Sequence, residues 1–523
     1  MNVGCSNVAD YLLQGKEPDK TALLTTGEQY TYGDIEIASA KIAAYLRRRG
    51  ACKGDRVLLI SSNNLFWVAS YLGVLRAGMI CVPLPETISH DNLEFIRTTT
   101  GANIILAQAR ACAKGVSAIK TCHLLTDRDI PPTLGVASQE SFLSLPERPV
   151  ALTERVDKDD LAALMFTSGS TGKPRGVMVS HSNIIANTES IIEYLELSEQ
   201  DRMMAVLPFH YCFGTSLLHT HLRVGGSLVL DSRFLYPEAI LQRMLETQCT
   251  GFAGVPSHFQ ILLRTSGVRS KSFPLLRHIQ QAGGCLAPQF IRELRDALPT
   301  TKIVIMYGQT EATARLSYLP PEFLDTKLGS IGKGIPGVRL RVVNDSGEIV
   351  SCGEVGEIVA EGENVTRGYW AALRETAETF RNGRLHTGDL ATVDADGFIY
   401  IVDRKKNFLK CGGKRVGIQE IENRLLDYPC ITEAAIIGIP DDILGEAPCA
   451  FVVRRMPACQ EFDPCISSFL KQHIARELYP KQIVTLDRLP RNSAGKINKA
   501  ELISIQAGTS NGSGLPNGRL SRE

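Results

Sequence analysis

Apolar residues recur at two periods along this chain, and the alternation between them predicts most of its elements. Residues 34–49, DIEIASAKIAAYLRRR, carry apolar side chains at helical spacing and finish on basic residues before Gly50. GDRVLLIS reads as a short strand, NNLFWVASYLGVLRAG as a helix closing at a glycine, and MICVPLP as a strand bounded by prolines. This alternation predicts an α/β fold with largely parallel sheets. It recurs at 203–230 and again at 250–307, where TGFAGVP, RHIQQAGG and TKIVIMYG are strands separated by helices.

From about residue 337 the texture changes. VRLRVVNDSGEIVSCGEVGEIVAEG and then HTGDLATVDADGFIYIVDRKKNFLK read as short strands joined by tight Asp/Gly turns. After Arg404 a compact segment begins, with helices expected near 418–427 and 464–478 and a strand at 433–439. The expected organisation is a large N-terminal domain, residues 1–403, made of two α/β subdomains plus a small β-rich subdomain. A small α+β C-terminal domain follows at 404–506. Residues 507–523, AGTSNGSGLPNGRLSRE, are expected to form a disordered tail.

Composition narrows the function classes. The chain has 523 residues, with 57 Lys+Arg against 56 Asp+Glu, so no global field draws nucleic acid or an anionic membrane. No apolar run approaches the ~18 residues that span a bilayer, and the first 25 residues lack the apolar centre of a secretory signal. The 14 cysteines are scattered from Cys5 to Cys465 without a CxxC pair, which fits small buried hydrophobes in a reducing, cytoplasmic setting. His219 and His221 are not at helical metal-ligand spacing.

The strongest chemical signal is MFTSGSTGKPRGVMVSH, residues 165–181. A strand runs into Ser168-Gly169-Ser170-Thr171-Gly172-Lys173. Glycines let the backbone curl so that N–H groups converge on an anion. The hydroxyls of Thr167, Ser168, Ser170 and Thr171 add donors, and Lys173 adds charge, which suits a polyphosphate. A Walker A loop needs Ser or Thr directly after Gly-Lys, and Pro174 stands there instead, which weakens the P-loop NTPase reading.

Five further strings follow in order: Tyr307-Gly308-Gln309-Thr310-Glu311, His386-Thr387-Gly388-Asp389, Asp403-Arg404-Lys405-Lys406, Lys410-Cys411-Gly412-Gly413-Lys414-Arg415-Val416 and Pro490-Arg491-Asn492-Ser493-Ala494-Gly495-Lys496. With the phosphate loop they resemble the adenylate-forming superfamily: acyl- and aryl-CoA synthetases, peptide-synthetase adenylation domains and luciferases. The resemblance covers residues 10–505 and is closest to the acyl-CoA synthetase or acyl-carrier-protein ligase type.

It implies that a carboxylate attacks the α-phosphate of ATP and pyrophosphate leaves. Mg²⁺ in such a site is held partly by phosphate oxygens, with Glu311 as its implied protein ligand. Beside it, the Thr310 hydroxyl reaches the α-phosphate. Asp389 accepts from the ribose hydroxyls, Arg404 holds ribose or phosphate, and adenine lies between Tyr307 and Gly284-Cys285. Lys496 touches the α-phosphate and the acid's carboxylate, where a cation stabilises developing charge. The resemblance further implies that the C-terminal domain is mobile, rotating about a pivot at Lys406. Lys410 then faces the site, and Gly412 and Gly413 leave room for a pantetheine arm. The acceptor is therefore CoA or a carrier-protein phosphopantetheine.

By the same resemblance the acid pocket runs along His210-Tyr211-Cys212-Phe213-Gly214, Gly254-Val255-Pro256 and Gly283-Gly284. Domains that activate α-amino acids usually place Asp where His210 stands. A fatty or other carboxylic acid without an α-amino group is therefore expected. The alternative is a stand-alone adenylation enzyme loading an aryl or amino acid onto a carrier protein. No nucleic acid and no integral membrane contact is expected.

Overall fold

The computed structural model describes residues 6–112, 121–132, 136–146, 153–168, 174–404, 408–411, 414–428, 430–441, 445–454, 466, 469–470, 479–491 and 497–510. Two large sheets carry the N-terminal part. One has seven strands in the order 138–141, 123–126, 104–107, 56–60, 80–84, 161–168 and 174–180, all parallel except the last pair. The other has nine strands, of which the six central ones run parallel in the order 302–307, 278–281, 251–254, 202–205, 227–230 and 21–24. The mixed α/β architecture, with a large N-terminal and a smaller C-terminal part, is the one the alternation predicts.

Local chemistry explains the helix starts. The helix expected from residue 34 begins at Tyr32, because the Thr31 side chain and Asp34 form a capping box, and it ends on Arg47 and Arg48. Helix Leu65–Arg76 starts at Asn64, whose side chain accepts from the Trp67 N–H. Every residue from Phe66 to Arg76 is buried, so this helix lacks a polar face. A Cβ at Gly73 would sit 2.6 Å from the Ile42 Cβ, so glycine is what lets the two helices approach. The same helix reaches the second sheet's layer: the Trp67 ring lies 5.2 Å from that of Phe209, and Tyr71 Oη is 2.9 Å from His219 Nε2.

A third, five-stranded antiparallel sheet holds strands Val338–Val343, Gly356–Gly362, Phe380–Arg381, Arg384–Val393 and Ile399–Arg404, where the Asp/Gly turns predict short strands. Beyond it, strands Phe408–Cys411, Lys414–Gly417, Ile431–Asp441, Gly445–Arg454 and Gln482–Thr485 form a fourth sheet, with helix Ile418–Leu426 beside it. The strand expected at 433–439 is longer than its apolar run, because it pairs with Gly445–Arg454 along its whole length. Most of the helix expected at 464–478 lies outside the described residues. Helix Lys499–Ser510 carries regular structure past residue 507, where the tail was expected to start. Among the described residues, no helix is long and apolar enough to cross a membrane.

Candidate active site

Parallel strands deliver the site. The turns after strands 202–205, 251–254, 278–281 and 302–307 all leave from the carboxyl edge of the nine-stranded sheet. Ligands bind in such a crevice. At these strand ends and the segments that leave them lie His210 to Gly214, Gly254 and Val255, Gly283 to Cys285, and Tyr307 to Glu311. Gly308 is forced by this crowding: a Cβ there would lie 2.0 Å from the Ala314 carbonyl oxygen. Gly214 is equally constrained, since its Cβ would fall 2.1 Å from the Pro208 carbonyl oxygen. The Gln281 side chain donates to the Gly284 carbonyl at 2.9 Å and closes the turn that holds Gly283, whose φ is +85°.

The third sheet supplies a carboxylate to the same crevice. Asp389 is 3% exposed. The Tyr307 hydroxyl donates to its Oδ2 at 2.6 Å, and Arg404 Nε donates to its Oδ1 at 2.7 Å. Burial first, and Asp389 next, push the Tyr307 phenol well above its ordinary value, so it stays a donor. Asp389 in turn holds the Arg404 guanidinium above its usual range. The Thr387 hydroxyl accepts from the Asp389 N–H at 3.1 Å and donates to the Ile358 carbonyl, while Gly388 takes φ +73°. An irregularity within strand Arg384–Val393, with Gly388 at positive φ, thus fixes the Asp389 carboxylate against Tyr307 and Arg404.

Glu311 stands on a short 3₁₀ turn, Thr310–Ala312. Its carbonyl accepts from the Thr366 N–H at 2.9 Å, and its Oε1 accepts from the Tyr369 hydroxyl at 2.8 Å. Its other oxygen makes no hydrogen bond among the described residues. A half-buried carboxylate with one oxygen tied and one open fits Mg²⁺, a hard cation that needs few protein oxygens where phosphates supply the rest. Thr310 Oγ1 lies 3.4 Å from Cys212 Sγ, so the metal-side turn touches the start of helix Cys212–Val224.

Tyr369 carries no sequence signal of function. It is 6% exposed, and burial followed by Glu311 raises its phenol above the ordinary range. Its backbone bridges Val177, the Trp370 N–H donates to Gly176 at 2.8 Å, and the Met178 N–H donates to Gly368 at 3.0 Å. Arg175 lies over its ring at 5.2 Å. The segment 368–370 therefore ties the hairpin Leu161–Ser168/Pro174–Ser180, whose strands flank the string read from the sequence as a phosphate loop, to the acid at 311. Thr167 pairs with Arg175 near the tip of that hairpin.

The acid-pocket residues divide. Burial lowers the His210 imidazole to about 3, so it is neutral, and its ring lies 4.3 Å from that of Tyr211. Val255 is buried, and a Cβ at Gly254 would press on His258 and Phe259. Phe213 is turned inward: it is 8% exposed, and the guanidinium of Arg315 sits 4.0 Å from its ring centre. The Gln309 Nε2 is buried without a partner among the described residues. Cys285 is exposed at the turn that follows strand His278–Gln281. Lys410 lies in strand Phe408–Cys411, paired with Arg415. Gly169, Ser170, Thr171, Gly172, Lys173, Lys406, Gly412, Gly413, Lys496 and the Ser168 and Lys410 side chains lie outside the described residues.

Comparison with known proteins agrees with this arrangement. Residues 14–370 match the model of the AMP-binding enzyme family, and residues 420–496 match the AMP-binding enzyme C-terminal domain. A feruloyl-CoA synthase from Amycolatopsis is 33% identical over 487 residues, covering 93% of this chain and 96% of that protein. A long-chain-fatty-acid–CoA ligase from Salmonella typhimurium is 30% identical over 516 residues, covering 92% and 91%. Among solved structures, an anthranilate CoA ligase in complex with anthranoyl-AMP superposes with a TM-score of 0.86 at 25% identity, covering 96% of this chain and 98% of that one. The o-succinylbenzoate CoA synthetase of Bacillus subtilis with its acyl-adenylate intermediate gives 0.81 at 26%, covering 95% and 97%. The six motifs read from the sequence and these matches have one account: the chain belongs to the AMP-binding enzyme family of adenylate-forming ligases.

Proposed function

We propose that the chain is an ATP-dependent carboxylate–CoA ligase for an acid without an α-amino group, working in the cytoplasm. The acid's carboxylate oxygen attacks the α-phosphorus, pyrophosphate departs, and an acyl adenylate forms. The sulfur of CoA then attacks the acyl carbonyl carbon, and AMP leaves with the electron pair of the broken C–O bond. The observation that carries this reading is the fixed Asp389, held by Tyr307 and Arg404 at the edge of the same crevice as Glu311. Asp389 takes the ribose hydroxyls, which orients the nucleotide. Arg404 covers it from the strand end, and Thr310 donates toward the α-phosphate. Mg²⁺, when bound, neutralises charge on the phosphate oxygens, and Glu311 is the residue that would hold it.

Two features support the choice of acid. Residue 210 is a neutral imidazole, and an α-ammonium group would require a carboxylate there. The neighbouring Tyr211, Phe213 and Val255 give the pocket aromatic and apolar walls. The remaining roles are assigned to Lys496, for the first half-reaction, and to Lys410, Gly412 and Gly413, for the second. The test is acid-dependent exchange of pyrophosphate into ATP, followed by CoA-dependent release of AMP, over a panel of fatty and aryl acids. A panel without any exchange above the acid-free rate would sink the reading.

A further inference from the structure

Arg315 is among the largest fully buried side chains of the protein, at 1% exposure. Its surroundings are unusual for a charge. The guanidinium lies 4.0 Å from the centre of the Phe213 ring, and its Nε approaches the Met306 sulfur at 3.4 Å. Tyr194 is its hydrogen-bonding neighbour, and Nη2 is buried without a partner. Among the described residues no carboxylate forms an ion pair with it. An arginine stays charged at any physiological pH, and buried charges are paired in folded proteins. An aromatic face and a thioether offset only part of the desolvation of a guanidinium. An anionic or acceptor group brought by a ligand would balance it.

Geometry says where that anion comes from. Arg315 follows Glu311 by four residues, and its backbone is pinned on two sides: its carbonyl accepts from Asn187 at 3.1 Å and from Asn364 at 2.7 Å. Phe213, against which it stacks, belongs to the wall assigned to the acid. Cys212, which touches Thr310 at the reacting end, is also close enough to act electrostatically on Arg315. Thr310, Cys212 and Arg315 thus form a short line from the α-phosphate side into the interior.

We infer that Arg315 closes the acid pocket and selects acids whose end remote from the reacting carboxylate carries an oxygen acceptor, best an anionic one such as a second carboxylate. The inference rests on the ligase reading above. It narrows the substrate from any acid without an α-amino group to one with an acceptor at its far end.

The test is acid-dependent pyrophosphate exchange on the full chain, with matched acids. One series is benzoic acids bearing a para carboxylate, hydroxyl or methyl group. The other is open-chain dicarboxylic acids and their methyl-terminated isosteres. In the wild type, the best acceptor-bearing acid should be used about 10–100-fold more efficiently than its methyl isostere, the scale of one charge-assisted hydrogen bond. Arg315→Met, which keeps length and apolar packing, should reduce that ratio to within about 3-fold while leaving half-saturating ATP unchanged. Arg315→Lys, which keeps the charge, should retain part of the preference. Preference for the para hydroxyl over the para carboxylate would assign a neutral acceptor; the reverse order would assign a dianion. A wild type that ranks the methyl isosteres equal or better overturns the inference and leaves the ligase reading intact. So does an Arg315→Met variant with an unchanged ranking. Exchange with none of the acids would remove the ligase reading itself, and this inference with it.

Discussion

Tyr369→Phe removes one hydroxyl and leaves its ring, its contact with Arg175 and its backbone bonds in place. That hydroxyl donates to Glu311 Oε1 at 2.8 Å. Glu311 keeps its backbone tie to Thr366, so the carboxylate stays nearby but gains rotamer freedom. A hydrogen bond to a charged group contributes about 1.5–3 kcal/mol, and the freed glutamate recovers part of its ~1.5–2 kcal/mol of rotamer entropy. Together these put the loss in Mg²⁺ affinity near 1–2 kcal/mol, or roughly 5–30-fold. Removing a hydrogen-bond partner of a metal ligand usually costs about 10–100-fold, so the expected value sits at the low end. The assay is pyrophosphate exchange titrated with Mg²⁺ at saturating ATP and acid. Calorimetric binding of ATP, with Mg²⁺ and with EDTA, gives a readout independent of turnover. The variant should need more Mg²⁺, bind metal-free ATP as the wild type does, and keep its half-saturating acid concentration. In a Glu311→Gln background the same substitution should change little, because the hydroxyl acts through that carboxylate. A Mg²⁺ midpoint unchanged in Tyr369→Phe but shifted in Glu311→Gln would refute the reasoning and reduce residue 369 to packing.

Three further outcomes follow from the geometry. Tyr307→Phe frees Asp389 Oδ2 from its 2.6 Å donor, but Arg404 still holds the carboxylate, so half-saturating ATP should rise about 5–10-fold; with 3′-deoxy-ATP the gap between variant and wild type should narrow. Gly308→Ala puts a methyl 2.0 Å from the Ala314 carbonyl oxygen, and denaturant unfolding should show a loss of about 3 kcal/mol or more, or no folded protein at all. Burial depresses six imidazoles: to about 3 for His210 and His219, to about 4 for His181, His258 and His278, and downward for His221 as well. The unfolded chain protonates them below about pH 6.5 and the folded one does not, so stability should fall as pH drops from 6.5 toward 4, at up to about 1.4 kcal/mol per pH unit for each group, and melting temperature with it. A flat melting profile across that window would count against neutral, buried histidines.

The parts of this protein that were legible in its sequence were those in which one residue type answers to one local requirement. The helix read over 34–49, the parallel strands and the Asp/Gly turns of the third sheet each obey a short-range rule. The two residues that sequence reading missed depend on partners far along the chain. Tyr369 matters through Glu311, 58 residues away, and through a hairpin nearly two hundred residues earlier. Its string Arg367-Gly368-Tyr369-Trp370 reads locally as an aromatic pair after a glycine. Arg315 follows a recognisable motif, yet a charge in Ala-Thr-Ala-Arg-Leu-Ser-Tyr looks like an exposed position in a short strand. Only the packing of Phe213, Met306 and Tyr194 around it shows that it is buried. Sequence also cannot say which face of helix Cys212–Val224 the Phe213 ring takes; the packing sets the Arg315 guanidinium directly against it. Chemistry common to the family sits in local strings, where glycine or a fixed carboxylate is irreplaceable. Chemistry particular to this chain sits in long-range contacts, and the inferred role of Arg315 in choosing the acid rests on them.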